Sequence, residues 1–313
     1  MVGREEVVAR RPDLADRWAD LDGAFPVRVT RSFWDRMADP SDPADPLALQ
    51  VLPDPRELLE DAGDIPDPVG DAARSPVPWV VRKHRDRVLL LLTKRCHLYC
   101  RYCFRRDHQP GASADPDPEA WERALAWIRE QAPREVILSG GDPLVVPVPR
   151  LLDTIDRLRP AVRVIRVHTR APITFPEAVT DALVAGLRAR APVWVVVHAN
   201  HPRELSVDVD TALARLVDAG IPVLDQTVLL RGVNDDPDVL AALFEALVER
   251  RVMPYYLHVT DRVPGNAHLR VPLEEAIALH DRVRRRLGGV ALPKLVLDPP
   301  DGSGKVDARE ALG

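Results

Sequence analysis

The chain has 313 residues, of which 46% are hydrophobic and 29% charged, and its formal net charge is -5. This balance is typical of a soluble globular protein, and the net negative charge argues against a nucleic-acid binder that works through a basic surface. No apolar stretch approaches the roughly 20 residues of a membrane span, and the charged N-terminus lacks the apolar core of a secretory signal.

The first 80 residues predict an extension rather than a second catalytic unit. A short helix is expected at residues 11–19, and the run DPSDPADP that follows later breaks any long element. Large apolar side chains such as Phe33 and Trp34 favour burial, which argues against a disordered tail. We therefore expect residues 1–80 to form a helical and proline-rich extension that packs on the main domain.

Six apolar runs alternate with amphipathic stretches from about residue 82 onwards. The runs are residues 87–93, 135–141, 162–170, 193–200, 223–232 and 252–261. Nearly continuous apolar runs are typical of parallel strands covered on both faces, and their alternation with helices predicts βα units. We expect an α/β fold, a partial parallel (β/α)6 barrel over residues 81–290, followed by a C-terminal segment over residues 291–313. An open doubly wound sheet is the alternative, although no glycine-rich dinucleotide motif follows the first run.

Polar residues follow each of the six runs at its C-terminal end. In order they are Cys96, residues 139–142, residues 168–170, residues 198–201, residues 226–234 and residues 258–261. In parallel barrels the C-terminal ends of the strands form the active site. Six polar clusters in succession therefore predict a functional site at that face.

The chain has only three cysteines, Cys96, Cys100 and Cys103, spaced C-x3-C-x2-C. An odd number within eight residues excludes a disulfide framework and favours the reducing cytoplasm. Three thiolates at this spacing can surround one compact metal centre. A four-iron cluster normally takes four cysteines, so three leave one iron open to a small chelating molecule. The alternative is a zinc site completed by His97 or His108.

This cysteine motif, placed directly after the first predicted strand, resembles that of radical S-adenosylmethionine enzymes. The resemblance implies a 4Fe-4S cluster that takes an electron from an external donor and cleaves S-adenosylmethionine to a 5'-deoxyadenosyl radical. CRYCFRR, SGGDPL, QTVLLRGVND, PYYLHVTD and DPPDGSGK narrow the resemblance to the lysine 2,3-aminomutase family, over residues 25–305. The early FPVRV and DPL segments are most similar to the short branch that makes (R)-β-lysine for modification of elongation factor P.

The family also uses pyridoxal 5'-phosphate, and the resemblance implies that Lys305, in the sequence DGSGK, binds it covalently. By itself Lys305 could equally be a solvated lysine near the end of the chain. Candidates for the cofactor's phosphate are Arg170, Lys83, His84 and Tyr256. The residues expected around S-adenosylmethionine are Ser139, Gly140, Gly141, Asp142, His198 and Gln226. From the residues alone, the segment SGGD could also be a simple turn into a helix.

Two carboxylates are expected to select the substrate. Burying a cation requires a partner anion, and by resemblance Asp261 and Asp298 bind the distant ammonium group of lysine. Either residue alone could be a helix cap or part of a turn, but their joint occurrence favours lysine. Arg105 is expected to bind the substrate carboxylate through its planar guanidinium, with Arg106 as a second candidate or a structural residue.

The resemblance therefore implies an isomerase that interconverts L-α-lysine and β-lysine by 1,2-amino migration. It acts on a small amino acid, with no nucleic acid or membrane partner, and a link to elongation factor P is open. No cysteine follows Cys103, so the zinc site between subunits of longer relatives is not expected, and a homodimer is left open. The alternatives are an aminomutase for another amino acid, such as arginine, and a non-enzymatic zinc-binding barrel protein.

Overall fold

This computed structural model describes residues 1–59, 61–106 and 114–312. Its central element is a nine-stranded sheet. The strands lie side by side in sequence order. They are β1 (Val80–Val81), β2 (Arg87–Leu91), β3 (Glu135–Ser139), β4 (Val164–His168), β5 (Val193–Val197), β6 (Val223–Leu229), β7 (Met253–Val259), β8 (Lys294–Leu297) and β9 (Val306–Asp307).

The strands β2 to β8 are parallel, whereas β1 and β9 run antiparallel to their neighbours. This confirms the predicted α/β fold, and the six apolar runs correspond to β2 to β7. The parallel part of the sheet has one strand more than predicted, because the four-residue strand β8 was too short to stand out in the sequence. Residues 291–313 thus contribute β8 and β9 to the same sheet, while the division of the chain into three parts stays a prediction.

Helices cover the sheet and occupy the N-terminal region. They are α1 (Arg4–Arg10), α2 (Trp18–Ala24), α3 (Arg31–Trp34), α4 (Ala48–Val51), α5 (Pro118–Gln131), α6 (Val148–Leu158), α7 (Ala171–Thr174), α8 (Asp181–Ala189), α9 (Val207–Asp218), α10 (Pro237–Glu249) and α11 (Leu273–Arg284). Helices α5 and α10 begin with a proline after an aspartate whose side chain accepts backbone N–H groups, as favourable N-termini do. In the described parts of the chain, no helix combines the length and the apolar character needed to cross a membrane.

The main hydrophobic core lies between the sheet and the long helices. Ile128 of α5 and Phe244 of α10 are fully buried and pack in one cluster with strand residues such as Val136 and Leu138. Burial of apolar side chains on both faces explains why the strands read as continuous Val, Ile and Leu runs.

The N-terminal extension has a core of its own. Trp18, Leu21 and Phe33 are buried there together with Leu98, which belongs to the cysteine loop. The helix expected at residues 11–19 is wrong, because the chain forms α1 and α2 with a 3₁₀ turn from Pro12 to Leu14 between them. Pro12 lacks a backbone N–H and so favours the start of a new turn over continuation of a helix.

Candidate functional site

A cavity of about 310 Å³ opens at the C-terminal ends of the parallel strands. Every residue assigned from the sequence to the iron–sulfur cluster, to a cofactor or to the substrate lines it, including the three cysteines at one end and Lys305 at the other. The strand order explains this convergence, because the carboxyl ends of neighbouring parallel strands meet at one edge of the sheet.

The cysteine loop follows β2 and is fastened to the N-terminal extension. Tyr99 donates its backbone N–H to Arg28 over 3.0 Å, and Arg101 donates its backbone N–H to Gln50 over 2.8 Å. All three cysteines are free thiols. The extension therefore supports the loop that carries the predicted cluster ligands.

A buried group of charged side chains stabilises the same loop. Glu57 accepts hydrogen bonds from Arg101 Nε at 2.8 Å and Arg101 Nη2 at 2.6 Å, and also from Arg106. Burial raises the pKa of Glu57, but the two guanidinium groups outweigh it and hold the pKa below its usual value. Arg106 also donates to Arg101 O, so this second candidate for the substrate carboxylate serves the loop instead.

Arg170 lies at the cysteine end of the cavity. Its Nη1 donates to Cys100 Sγ over 2.8 Å, and its Nη2 donates to Gln50 at 2.6 Å and Glu204 at 3.1 Å. The guanidinium is thus already engaged by a thiol, an amide and a carboxylate. This arrangement revises the expectation that Arg170 binds a cofactor phosphate.

The three cysteines are half-buried. Burial raises the pKa of Cys96 well above its usual value and raises that of Cys103 to about 11. Both are therefore protonated unless a metal centre stabilises the thiolates.

Across the described ranges, no three His, Cys, Asp or Glu side chains converge closely enough to hold a single metal ion. Of the two candidate zinc ligands, His97 stacks on Phe175 with ring centroids 4.7 Å apart, and His108 lies outside the described residues. In a four-iron cluster each thiolate binds a different iron, so its ligands need not converge on one point.

The glycines after β3 permit a close approach between two loops. A Cβ on Gly140 would lie 2.2 Å from Thr93 O, and one on Gly141 would lie 2.2 Å from Arg95 O. Gly141 N–H donates to Thr93 O over 2.7 Å. The two glycines thus fix the loop after β3 against the residues that lead into Cys96.

Asp142 is occupied by the scaffold. Its Oδ1 accepts from Leu144 N–H at 2.9 Å and Thr169 O–H at 2.7 Å, and its Oδ2 accepts from the backbone N–H groups of Arg170 and Ala171. With four donors, neither carboxylate oxygen is left for a ligand. This revises the expectation that Asp142 contacts S-adenosylmethionine, whereas Ser139 and the two glycines remain candidates.

His198 is a neutral group at the cysteine end. Its Nε2 lies 3.2 Å from Tyr102 Oη and 3.2 Å from Asn200 Oδ1. Burial, and then the charge of Arg170, lower its pKa to about 3. Gln226 lines the cavity from β6, at a point where the pairing with β7 shifts register.

Lys305 lies at the opposite end of the cavity. Its Nζ is 3.6 Å from Asp298 Oδ2 and 6.0 Å from the ring centroid of Tyr256, and 33% of the side chain is accessible. Burial lowers the pKa of Lys305, and although Asp298 opposes this shift, Lys83 contributes to it. A lower pKa leaves more of the amine neutral and nucleophilic.

Gly304 gives Lys305 its place beside a histidine. Its φ is +79°, and a Cβ there would lie 2.3 Å from His84 Nε2. The left-handed backbone conformation therefore favours glycine here, and a Cβ would displace the ring of His84.

A chain of ion pairs joins the lysine end to the N-terminal extension. Asp71 Oδ2 accepts from Arg105 Nε at 3.0 Å and Nη2 at 2.7 Å. Lys83 Nζ lies 3.5 Å from Asp71 Oδ1 and 3.1 Å from Asp298 Oδ1. These pairs revise the expectation that Lys83 binds a phosphate, since its ammonium already lies between two carboxylates.

Asp261 is the unpaired carboxylate of the site. Within the described part of the chain its side chain makes no ion pair, and burial together with the nearby charge of Asp298 raises its pKa to about 7. A cation placed between Asp261 and Asp298 would relieve this destabilisation.

Sequence reasoning missed several polar residues of the cavity. Arg87, Arg166 and Tyr255 line it. Arg166 Nε is buried and has no hydrogen-bond partner among the described residues, and the same holds for Nε2 of His168, which belongs to the predicted polar cluster at residues 168–170. An arginine inside an apolar strand run, as at Arg87 and Arg166, is a signal that could have identified two of them. Asp71 carries no such signal, because aspartates are frequent throughout the first 80 residues.

Comparison with known proteins identifies the family. Residues 90–244 match the model of the Radical SAM superfamily. The chain is 40% identical to L-lysine 2,3-aminomutase of Clostridium subterminale, over 86% of this chain and 65% of that protein. It is 35% identical to that of Bacillus subtilis, over 90% and 60% of the two chains, and 35% identical to that of Buchnera aphidicola, over 90% and 84%. The chain spans 60% to 66% of the length of four such relatives.

Among solved structures, SuiB of Streptococcus suis bound to S-adenosylmethionine has a similar fold. The TM-score is 0.51 at 16% identity, and the likeness covers 67% of this chain and 49% of that one. At this identity the likeness concerns the fold alone. Taken with the relatives above, it leads to one conclusion: the chain belongs to the lysine 2,3-aminomutase family of the radical SAM superfamily.

Proposed function

We propose that the chain interconverts L-α-lysine and β-lysine by 1,2-amino migration, as an isomerase that uses a 4Fe-4S cluster, S-adenosylmethionine and pyridoxal 5'-phosphate. The observation that supports it most is that Lys305 and the three free thiols line one cavity. Membership of the family implies these three cofactors, and the residues present can be compared with what each group requires.

The cysteine end fits a cluster with one open iron. Cys96, Cys100 and Cys103 would supply three thiolates, which is one fewer than a fully ligated cluster takes. When bound, the cluster and S-adenosylmethionine supply a 5'-deoxyadenosyl radical. Ser139, His198 and Gln226 line the same cavity as neutral polar groups that can position a small molecule.

The lysine end fits pyridoxal phosphate. Lys305 would hold its aldehyde carbon through the amine whose pKa is lowered, and the ring supplies delocalisation for a neighbouring radical centre. Arg166 Nε is a buried, unpartnered donor for an anionic group in the same cavity, although Nη2 of the same side chain pairs with Glu135. The neutral His168 would donate to such a group in the tautomer with the proton on Nε2. Of the residues expected to bind the phosphate, His84 and Tyr256 stay in this proposal.

The charges beside Lys305 fit the substrate L-lysine. Arg105 would bind the α-carboxylate, while Asp261 and Asp298 would bind the distant ammonium. Asp298 pairs with the Lys305 ammonium at 3.6 Å, and this partner is lost when Lys305 is used to hold the cofactor. The substrate's ammonium would then replace the lost positive charge beside Asp298 and lower the pKa of Asp261.

The remaining groups of the chain would orient the reactants and exclude water from the radical chemistry. We extend the proposal to a cytoplasmic location, since free thiols require a reducing compartment, and to an external one-electron donor. Supply of β-lysine for modification of elongation factor P belongs to the same proposal, on the resemblance to the short branch.

Anaerobic incubation of the reconstituted protein with L-lysine, S-adenosylmethionine and dithionite tests this function, with chiral analysis of the products. We expect β-lysine, together with about four irons and four sulfides per chain, the content of one such cluster. Rearrangement of arginine instead of lysine would reassign Asp261 and Asp298. One zinc per chain without sulfide would favour the zinc-binding barrel and end the proposal.

A further inference from the structure

Residues 61–74, here called the strap, cross from the N-terminal extension to the two loops that carry the acidic residues of the site. Ile65 N–H donates to Arg262 O over 2.9 Å, next to Asp261, and Asp61 pairs with Arg262 at 3.0 Å. At its other end Arg74 Nη2 donates to Asp301 O over 2.8 Å. The strap therefore connects the loop after β7 with the loop that follows β8.

The strap also packs tightly on the loop after β8. Gly70 has a φ of +67°, and a Cβ there would lie 2.5 Å from Pro300 O. Asp67 accepts the backbone N–H of Asp71 over 2.9 Å, which fixes the turn that precedes it. These contacts place the next side chain, Asp71, at a defined position over the cavity.

Asp71 is the part of the strap that reaches the predicted substrate site. It is 3% exposed, and it binds Arg105 through one oxygen and faces Lys83 with the other. Burial raises the pKa of Asp71, but Arg105 and Lys83 outweigh it, so the pKa is below its usual value and the group is ionised. Asp71 is thus an anion between two cations that face the cavity.

We propose that Asp71 is a positioning residue, which sets the direction in which Arg105 presents its guanidinium to the substrate carboxylate. The inference rests on the proposed function of Arg105. A guanidinium has five N–H donors, and Asp71 engages Nε and Nη2 from one side, which leaves the remaining donors for an incoming carboxylate.

Without Asp71, the guanidinium would have to be ordered each time a substrate binds. The loss falls on ligands that carry an α-carboxylate, because only they use Arg105. A ligand with both amines of lysine but no carboxylate should not respond. This difference separates positioning from general damage to the fold.

The experiment compares L-lysine with cadaverine, which is lysine without its carboxylate, as ligands of the protein loaded with pyridoxal phosphate. Binding is followed through the absorbance change of the cofactor. The variants are Asp71→Asn, which keeps the shape of the side chain, Asp71→Glu, which keeps the charge, and the control Asp61→Asn. The control removes a carboxylate from the same strap, but one that pairs with Arg262 outside the cavity.

We expect Asp71→Asn to weaken the binding of L-lysine by about tenfold, because one charged hydrogen bond has an effect of this size. The binding of cadaverine should not change. Asp71→Glu should recover part of the loss, and Asp61→Asn should match the wild type for both amines. Equal weakening of both amines, no change, or tighter binding of L-lysine would each overturn the inference. If the wild type itself does not prefer L-lysine to cadaverine, the proposed function of Arg105 fails first.

Discussion

The two ends of the cavity differ in how their charges are balanced. At the cysteine end, Glu57 is paired with Arg101, and Arg170 is held by Glu204 and Cys100, all within the protein. At the lysine end, Asp261 has no ion pair within the described ranges, and Arg166 Nε and His168 Nε2 have no hydrogen-bond partner there. Among the described residues that line the cysteine end, His97 Nδ1 is the one buried atom without a hydrogen-bond partner, so most of the unsatisfied polar groups of the cavity lie at the lysine end.

The position of the N-terminal extension explains the difference. Its residues, including Gln50 and Glu57, cover the cysteine loop and supply partners for buried charges. At the lysine end the strap packs on the loop after β8, which leads into the glycine-rich sequence DGSGK. Buried polar groups without partners are costly, so those at the lysine end indicate ligand contacts rather than structural ones.

The largest expected effect comes from breaking the cysteine end. Cys100→Ser should abolish the absorbance of the cluster and reduce β-lysine formation to background, because a hydroxyl is a poor iron ligand compared with a thiolate. Binding of pyridoxal phosphate to Lys305 should persist, since Lys305 follows β8 whereas the cysteines follow β2. Loss of both cofactors in this variant would contradict the independence of the two ends.

Removal of the buried anion should cost the most stability. Glu57→Gln leaves Arg101 and Arg106 buried without a carboxylate, and we expect a loss of about 3–5 kcal/mol in the free energy of unfolding. Urea unfolding measures it. The control is Glu122→Gln, which breaks an ion pair with Arg157 on the surface and should change little. Equal stability of the two variants would show that the cluster around Glu57 does not support the loop.

At the lysine end, the stability of the folded protein should depend on pH through Asp261. Because the pKa of Asp261 is raised to about 7 in the folded protein, the folded state keeps this proton between roughly pH 4 and pH 7 while the unfolded state loses it. The contribution of Asp261 to stability therefore falls as the pH rises through that window and stays low above it.

Asp261→Asn removes the cost of ionising this buried carboxyl group. The variant should gain up to about 4 kcal/mol relative to the wild type above pH 7, with no gain near pH 4, as measured by thermal or urea unfolding without ligands. It should also bind L-lysine more weakly. A difference in stability that does not change with pH would contradict the raised pKa.

A smaller effect is expected at Gly304. Gly304→Ala requires a left-handed backbone at alanine and moves His84, so we expect weaker binding of pyridoxal phosphate and a loss of about 1–2 kcal/mol in stability. The matched control is Gly288→Ala, where a Cβ would meet nothing within 4 Å. If both variants bind the cofactor like the wild type, the contact of Gly304 with His84 does not position Lys305.

The sequence was sufficient for the sheet and for the face that carries the site. Apolar runs identify β2 to β7 because parallel strands are buried on both sides, and polar residues at their ends mark the cavity. It was insufficient for β8, which has only four residues, and for the partners of charged groups. Arg170 binds residues 50, 100 and 204, and no local pattern predicts which long-range partner a buried charge will have.

Reduction with borohydride in the presence of pyridoxal phosphate, followed by peptide mapping, tests the central claim most directly. The chain contains four lysines, Lys83, Lys94, Lys294 and Lys305. Lys83 and Lys94 also line the cavity, so the experiment offers the cofactor real alternatives. We predict that the pyridoxyl label lies on Lys305 and disappears in Lys305→Ala, while the variant keeps its iron and sulfide. A label on Lys83 or Lys94, or none on the wild type, would contradict the account.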